Sequence, residues 1–179
     1  MKNNVPNIVL LGHMGSGKST IGKGLAKRLS IDFIDTDYEI EKFTDTKISN
    51  IFLNQGESRF REIEENIIKQ ILDSKGKKVI ALGGGSFENK NIRALLKGRY
   101  ISIWLKCNID ILVERLKKNK NRPLLIGKNI KSEIIKIDKI RKINYESADF
   151  HYDVSKKQKK IILKEIVQYI KSIVWKIRD

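Results

Sequence analysis

Short apolar runs alternate with longer amphipathic stretches along most of the chain. The short runs predict β-strands at residues 7–11, 32–34, 78–82, 100–105 and 150–154. Apolar residues at helical spacing predict helices at residues 18–29, 57–74, 89–97, 109–118, 131–147 and 157–177. The last helix carries a stripe of isoleucines that we expect to be buried, Ile162, Ile166, Ile170, Ile173 and Ile177. This alternation is typical of an α/β fold with a parallel sheet.

Two segments interrupt the regular pattern. Residues 35–56 are mostly polar and follow the second predicted strand. Residues 117–130 are basic and contain Pro123 and Gly127, and a loop of this length in a compact domain is commonly a lid. We therefore expect a single domain over residues 1–179, with a substrate-binding segment near 35–65 and a mobile lid near 117–130.

A phosphate-binding loop follows the first predicted strand directly. Residues 12–19 read Gly-His-Met-Gly-Ser-Gly-Lys-Ser, which is a complete G-x-x-x-x-G-K-S motif. Glycines allow a positive φ, so that successive backbone N–H groups point at phosphate oxygens, and the start of the next helix favours anions. Lys18 is the predicted cation for the terminal phosphates, and the Ser19 hydroxyl is a hard oxygen ligand suited to Mg²⁺. The strand before the motif and the amphipathic helix after it favour a nucleotide site over a structural glycine turn.

The overall charge does not by itself indicate a nucleic-acid partner. The chain of 179 residues has a net charge of +16, but the excess is mostly lysine and is spread along the sequence. The densest basic run, residues 156–160, contains no aromatic residue that would stack on a base. The single cysteine, Cys107, rules out an internal disulfide framework, and no apolar stretch approaches the ~20 residues of a membrane span. We expect a cytoplasmic protein with no signal peptide, no nucleic-acid partner and no membrane association.

Candidate catalytic residues follow three of the predicted strands. In an open parallel sheet, ligands bind at the carboxyl ends of the strands. Asp35 and Asp37 follow the second strand, and if that segment is extended their carboxylates point the same way, one toward magnesium and phosphate and one toward an acceptor. The third strand ends at Gly83-Gly84-Gly85, where bare backbone could approach a substrate closely.

The helix at 57–74 offers an arginine beside a carboxylate. Arg61 and Glu64 are three residues apart and lie on one helical face, while Phe60, Ile63 and Ile67 belong to the buried stripe. The pair is either a surface ion pair of little energetic value or a device that aims the Arg61 fork at a substrate carboxylate. Spacing alone does not choose between these.

Several nucleotide-binding classes are disfavoured because their motifs are absent. The sequence contains no Asn-Lys-x-Asp guanine motif and no ABC-type signature, and no Asp-x-x-Gly switch follows its third predicted strand. The third strand ends in glycine where many ATPases place an aspartate, so Asp35 is the nearest candidate for a magnesium carboxylate. A small-molecule kinase with a lid remains.

The chain resembles shikimate kinases along nearly its whole length. Six motifs carry the resemblance, and they occur in the same order: Gly12-x4-Gly-Lys-Ser19, Asp35-Thr-Asp37, Phe60-Arg61-x2-Glu64, Gly83-Gly-Gly85, Arg122-Pro-Leu-Leu125, and Arg141 four residues before Tyr145. The resemblance implies a three-layer αβα P-loop fold like that of the nucleoside-monophosphate kinases, with a five-stranded parallel sheet. It also implies a monomer that transfers the γ-phosphate of ATP to the 3-hydroxyl of shikimate, with Mg²⁺, in aromatic amino-acid biosynthesis.

The resemblance further implies a role for each matching residue. Lys18, Asp37 and Arg122 would be catalytic, with Asp37 orienting or deprotonating the attacking hydroxyl and Arg122 closing with the lid. Ser19 and Asp35 would hold magnesium. The ATP-binding residues would be Gly15, Ser16, Gly17, Lys18, Ser19, Thr20, Arg115, Arg122 and Gln158. The shikimate-binding residues would be Asp37, Arg61, Gly83, Gly84, Gly85 and Arg141, with the two arginines on the carboxylate.

The sequence departs from the family pattern in two places. Around Arg141 the family usually has Arg-x-Pro-Leu-Tyr, whereas this chain has Arg-Lys-Ile-Asn-Tyr, which weakens that assignment. The family often has a proline near the adenine after the last strand, and residues 155–159 contain none, so adenine contacts from Lys157 or Gln158 are the remaining candidates. Rival functions are a kinase for another hydroxy acid such as gluconate, a basic ATP-dependent nucleic-acid-binding module, and a nucleotide-binding scaffold without catalysis.

Overall fold

A computed structural model describes residues 5–118 and 129–176. The strands are β1 (Asn7–Leu11), β2 (Asp32–Asp35), β3 (Lys78–Ala81), β4 (Tyr100–Lys106) and β5 (Phe150–Asp153). The helices are α1 (Lys18–Leu29), α2 (Thr36–Thr44), α3 (Ile48–Asp73), α4 (Lys90–Leu96), α5 (Ile109–Lys117), α6 (Ile130–Tyr145) and α7 (Lys159–Lys176), and a 3₁₀ turn covers Ser86–Glu88. Within the described ranges, no helix is both long enough and apolar enough to cross a membrane.

The five strands form one parallel sheet, as the α/β pattern predicts, and their order in the sheet is β2-β3-β1-β4-β5. The central strand β1 is buried on both faces, which explains its continuous apolar sequence. Val9 and Leu11 face a core shared with α3 and α4, whereas Ile8 and Leu10 face a second core shared with α1 and α7. The helices therefore cover both faces of the sheet, and this three-layer arrangement confirms the expected fold class.

The isoleucine stripe of α7 contributes to the second core. Ile162, Ile166 and Ile170 are buried as predicted, and Ile173 is half-buried. Ile177 lies outside the described residues. The helix begins at Lys159 and not at residue 157. Residues 154–158 connect β5 to the helix, and the carbonyl oxygen of Gln158 accepts the first helical hydrogen bonds.

The polar segment 35–56 is helical, and here the sequence-based prediction is wrong. It contains α2 and the first part of α3, which begins nine residues earlier than predicted. Gly56, with φ of 77°, interrupts α3 at the point where the predicted helix begins. Asp35 caps α2 by accepting a hydrogen bond from the backbone N–H of Asp37 at 3.2 Å. Asp35 and Asp37 are therefore not on one extended segment, since Asp37 lies in the first turn of a helix.

Candidate active site

The phosphate-binding loop joins β1 to α1 in the conformation that its glycines allow. Gly12, Gly15 and Gly17 have φ values of 133°, 81° and 96°, all in the region that favours glycine. A Cβ atom on Gly12 would lie only 2.8 Å from the carbonyl oxygen of Leu105. Gly17 is the N-cap of α1, so the positive end of that helix lies at the loop. The local backbone is that of an anion cradle.

Two polar side chains of this loop are candidates for phosphate contacts. Lys18 Nζ donates hydrogen bonds to the carbonyl oxygens of Gly12 at 2.8 Å and His13 at 3.1 Å, so the ammonium group lies over the loop. Ser16 Oγ is buried and has no hydrogen-bond partner among the described residues. A buried hydroxyl without a partner is costly, and a phosphate oxygen would satisfy it.

Ser19 and Asp35 place two hard oxygen atoms side by side. The Ser19 hydroxyl donates to Asp35 Oδ2 at 2.5 Å, which links α1 to the end of β2. In the described part of the chain, no group of three or more His, Cys, Asp or Glu side chains is arranged to hold a metal ion. Mg²⁺ commonly takes one or two protein oxygens and completes its shell with water and phosphate oxygens. The Ser19 and Asp35 pair fits that pattern, whereas an ion held by protein groups alone would find too few ligands.

A cavity of about 470 Å³ extends from the loop along α1 and past the end of β5. Met14 lines it, and so do the predicted ATP-binding residues Gly15, Ser16, Gly17, Lys18, Ser19 and Thr20. Arg115 also lines it and donates a hydrogen bond to the carbonyl oxygen of Gly15 at 3.1 Å. The lining after β5 comes from Val154, Lys157, Lys159 and Ile162, and Gln158 is not part of it. The cavity has the size of a cofactor pocket.

The glycine triplet after β3 provides space for three predicted substrate residues. A Cβ on Gly83 would lie 2.6 Å from Asp37 Oδ1. A Cβ on Gly85 would lie 2.7 and 2.9 Å from the two terminal nitrogens of Arg61 and 3.1 Å from Arg141 Nη2. At these distances a side chain at either position would force the neighbouring carboxylate or guanidinium group to shift. The missing side chains allow a carboxylate and two guanidinium groups to converge beside the phosphate loop.

Arg61 is held by two carboxylates, one of which is buried. Its Nη1 donates to Glu64 Oε2 at 2.7 Å, and Ser86 Oγ donates to Glu64 Oε1 at 2.6 Å. The Glu64 side chain is only 3% exposed, so the pair is not a surface ion pair. Burial lowers the pKa of Arg61, but Glu64 and the more exposed Glu57 outweigh that effect, and the net pKa is raised. The guanidinium is therefore charged and has a fixed direction.

Arg141 reaches the same place from α6, although the family's proline is missing from its motif. Its Nη1 would lie 3.1 Å from a Cβ on Gly84. Four residues later, the buried Tyr145 hydroxyl donates a hydrogen bond to the carbonyl oxygen of Gly84. Burial raises the pKa of Tyr145 to about 12, so the hydroxyl keeps its proton. The Tyr145 hydrogen bond therefore attaches α6 to the glycine triplet, although this chain lacks the proline that the family usually has between the arginine and the tyrosine.

The structure brings most of the predicted residues together and adds several that sequence reasoning missed. Arg122 lies outside the described residues. Thr36, in the first turn of α2, accepts from the Gly83 N–H at 2.9 Å, and Ser86 orients Glu64. Both are buried small polar residues, for which the sequence carries no signal beyond their nearness to predicted motifs.

Comparison with known proteins assigns the family. A sequence profile described as shikimate kinase matches residues 14–171. The shikimate kinase of Thermodesulfovibrio yellowstonii is 46% identical over 148 residues, which cover 82% of this chain and 84% of that protein. The chain belongs to the shikimate kinase family. It is accordingly an ATP-dependent phosphotransferase. The candidate active site consists of the phosphate loop and the two-arginine pocket, which Arg61 and Arg141 form beside the glycine triplet.

Solved structures support the family assignment, and they include a protein that shares only the fold. The shikimate kinase of Acinetobacter baumannii, determined in complex with shikimate, superimposes with a TM-score of 0.88 at 35% identity and covers 94% of both chains. A gluconokinase from Sinorhizobium meliloti gives a TM-score of 0.62 at 16% identity, covering 98% of this chain and 97% of that one, which shows a common fold alone.

Proposed function

We propose that the protein transfers the γ-phosphoryl group of ATP to the 3-hydroxyl of shikimate, giving 3-phosphoshikimate and ADP. The observation that carries this proposal is the convergence of Arg61, Arg141 and Asp37 on the glycine triplet, next to a phosphate-binding loop. Two charged forks beside one carboxylate suit a small acceptor that has a carboxylate at one end and hydroxyl groups at the other.

The acceptor is held by opposite charges at its two ends. Arg61 and Arg141 bind the shikimate carboxylate, since planar guanidinium groups donate paired hydrogen bonds to carboxylate oxygens. Binding requires that the substrate share or replace the contact of Arg61 with Glu57, which is exposed, while Glu64 keeps its own contact. Asp37 accepts hydrogen bonds from ring hydroxyls and orients or deprotonates the 3-hydroxyl for attack.

The donor is held by the loop, the lysine and the cavity beyond them. Backbone N–H groups and Ser16 Oγ bind phosphate oxygens, and Lys18 neutralises charge on the β- and γ-phosphates. Arg115, which donates a hydrogen bond to the carbonyl oxygen of Gly15, lies beside the purine. Ser19 and Asp35 would hold Mg²⁺, which would supply charge neutralisation at the phosphates.

Transfer then depends on alignment more than on covalent chemistry. Phosphoryl transfer requires the attacking and leaving oxygens to be in line and the developing charge to be stabilised. The acceptor hydroxyl lies at Asp37 and the phosphates at Lys18, and both side chains line one continuous cavity. We expect Arg122 and the lid near 117–130 to complete the charge neutralisation and to exclude water as a competing acceptor.

We also propose that the enzyme acts as a cytoplasmic monomer. The monomer is what the resemblance to the shikimate kinase family implies. A cytoplasmic location rests on the sequence, where Cys107 is the single cysteine. Light scattering of the purified protein at assay concentration tests the oligomeric state, and a mass near twice that of one chain would contradict it.

One assay separates the proposed acceptor from its rivals. ADP release is measured by a coupled enzyme assay with ATP and Mg²⁺, in parallel reactions with shikimate, with gluconate and without an acceptor. We expect turnover with shikimate and only background rates in the other two reactions. Turnover with gluconate alone would overturn the proposed acceptor, and an equal rate without any acceptor would indicate an ATPase. Added DNA and RNA should neither bind at physiological salt nor raise the rate.

A further inference from the structure

Helix α6 carries Arg141 but has little apolar surface to hold it in place. Only Ile134 and Tyr145 are buried among its sixteen residues, and they lie near its two ends. Ile134 packs on α5, whereas Tyr145 packs in the main core beside Phe87 and Trp104. Most helices in globular proteins are fixed by a continuous apolar stripe. The stretch between Ile134 and Tyr145, which contains Arg141, therefore needs another attachment.

A histidine from the phosphate loop provides a polar contact at that point. His13 Nε2 lies 2.8 Å from Asp138 Oδ1, and Asp138 is three residues before Arg141 on the same face of α6. His13 is 6% exposed, and its ring packs edge-on against Tyr145 with centroids 5.3 Å apart. The face of α6 that turns inward is thus formed by Ile134, Asp138, Arg141 and Tyr145.

The state of the imidazole follows from its surroundings. Burial is the main cause that lowers the pKa of His13 below its usual value, and the charges of Arg141 and Lys18 act in the same direction, while Asp138 opposes them. The ring is therefore neutral at neutral pH. Because a carboxylate only accepts hydrogen bonds, the proton lies on Nε2 and is donated to Asp138.

The position of His13 excludes a direct part in phosphoryl transfer. Its backbone carbonyl accepts a hydrogen bond from Lys18, but its side chain points toward α6 and lines a second cavity with Asp138, away from the nucleotide cavity. His13 is thus a positioning residue. Its backbone belongs to the ATP side of the site, and its side chain holds the helix that belongs to the acceptor side.

We propose that the hydrogen bond between His13 and Asp138 positions Arg141 for the acceptor carboxylate by fixing the middle of α6 to the phosphate loop. This inference rests on the proposed function, because it assumes that Arg141 binds a carboxylate. Without the bond, α6 is held at its ends, and the guanidinium of Arg141 loses its fixed distance to Arg61. The consequence is weaker binding of the carboxylate, with little change in how the donor phosphates are held.

The test compares variants on both sides of the bond. His13→Leu and Asp138→Ala each remove it, and Asp138 tolerates change because its side chain is 28% exposed on a helix. His13→Gln restores an N–H donor near the original position. The control is His151→Leu, which alters the second of the two histidines, an exposed one whose ring contacts the backbone of Glu146. The substrates are shikimate and an analogue in which CH₂OH replaces the carboxylate.

We expect the shikimate KM to rise about tenfold in His13→Leu and in Asp138→Ala, and no further in the double variant, because both changes remove the same contact. The ATP KM should stay within about twofold, His13→Gln should recover most of the loss, and His151→Leu should behave as wild type. With the uncharged analogue, the variants and the wild type should have the same KM.

Three results would count against this role of the pair. An unchanged shikimate KM in Asp138→Ala would overturn it, even if His13→Leu failed to fold. An equal rise in KM with the uncharged analogue would also overturn it, since a general loosening of the site would then be the cause. If the wild-type enzyme does not phosphorylate shikimate, the proposed function is wrong and this inference is wrong as well. That outcome is visible in the wild-type reaction with shikimate, before any variant is measured.

Discussion

The substitution Gly85→Ala tests the two-arginine pocket with one added methyl group. Gly85 has φ of −102°, which alanine adopts freely, so the backbone is not strained. The new Cβ would lie 2.7 Å from one terminal nitrogen of Arg61 and 3.1 Å from one of Arg141. Ordinary contact begins near 3.4 Å, so Arg61 must retreat by about 0.7 Å and Arg141 by about 0.3 Å.

The displacement should affect acceptor binding more than folding. Arginine termini are flexible enough to yield, so we expect Tm to fall by less than about 4 °C. A misplacement of about 1 Å in a binding group costs up to about a hundredfold, and we expect the shikimate KM to rise about ten- to hundredfold. The ATP KM, measured in the same coupled assay, is the internal control and should change by less than about twofold. A wild-type shikimate KM in a folded Gly85→Ala enzyme would refute the argument that this glycine makes room for substrate-binding arginines.

The remaining predictions concern four charged side chains. Lys18→Ala should lower kcat at least about a hundredfold in the ADP-release assay, because phosphate charge is left unneutralised, and near-normal activity would contradict the role of the loop. Asp37→Asn should lower kcat about 10²- to 10⁴-fold with a smaller effect on KM, and turnover close to wild type would remove Asp37 from catalysis. Arg61→Lys should raise the shikimate KM about tenfold, since an ammonium group cannot reproduce a planar fork, and an unchanged KM would leave Arg61 a structural role only. Hydrogen bonds from Lys69 and from two asparagines lower the pKa of Glu65 from 4.5 to about 2, so its stabilising contribution is present above pH 4.5 and is lost as the pH falls toward 2. Urea unfolding should therefore show Glu65→Gln to be about 1 kcal/mol less stable than wild type at pH 7, with the difference disappearing near pH 2, and a constant difference would contradict this account.

The elements that bury a strong apolar pattern could be predicted from the sequence. Strand β1 is apolar throughout because it is covered on both faces, and α7 shows regular isoleucines because one side lies on the sheet. The helices of segment 35–56 could not be found this way. Helix α2 buries only Thr36 and Ile40 of its nine residues, so tertiary contacts and not periodicity decide its structure. Asp35, a favoured N-cap residue, was the available signal.

The residues of the candidate site also differ in how far the sequence could predict them. The phosphate loop is continuous in sequence and needs a particular backbone, so its residues could be identified from one short motif. The acceptor pocket is assembled from α2, α3, the glycine triplet and α6, which are far apart in the chain. The residues that we propose to contact the acceptor were expected from the family resemblance, whereas the residues that support them were not. Neither the Ser86 to Glu64 bond nor the His13 to Asp138 bond follows any sequence spacing, because each joins residues that only the fold brings together.

A crystal structure of the enzyme with shikimate, Mg²⁺ and a non-hydrolysable ATP analogue shows whether Arg61, Arg141 and Asp37 hold the acceptor beside the phosphate loop. We expect the shikimate carboxylate within about 3.2 Å of the guanidinium groups of both Arg61 and Arg141. We also expect the 3-hydroxyl beside Asp37, facing the γ-phosphate that Lys18 holds. Shikimate bound with its carboxylate away from the two arginines, or with its 3-hydroxyl turned from the phosphate loop, would contradict the account.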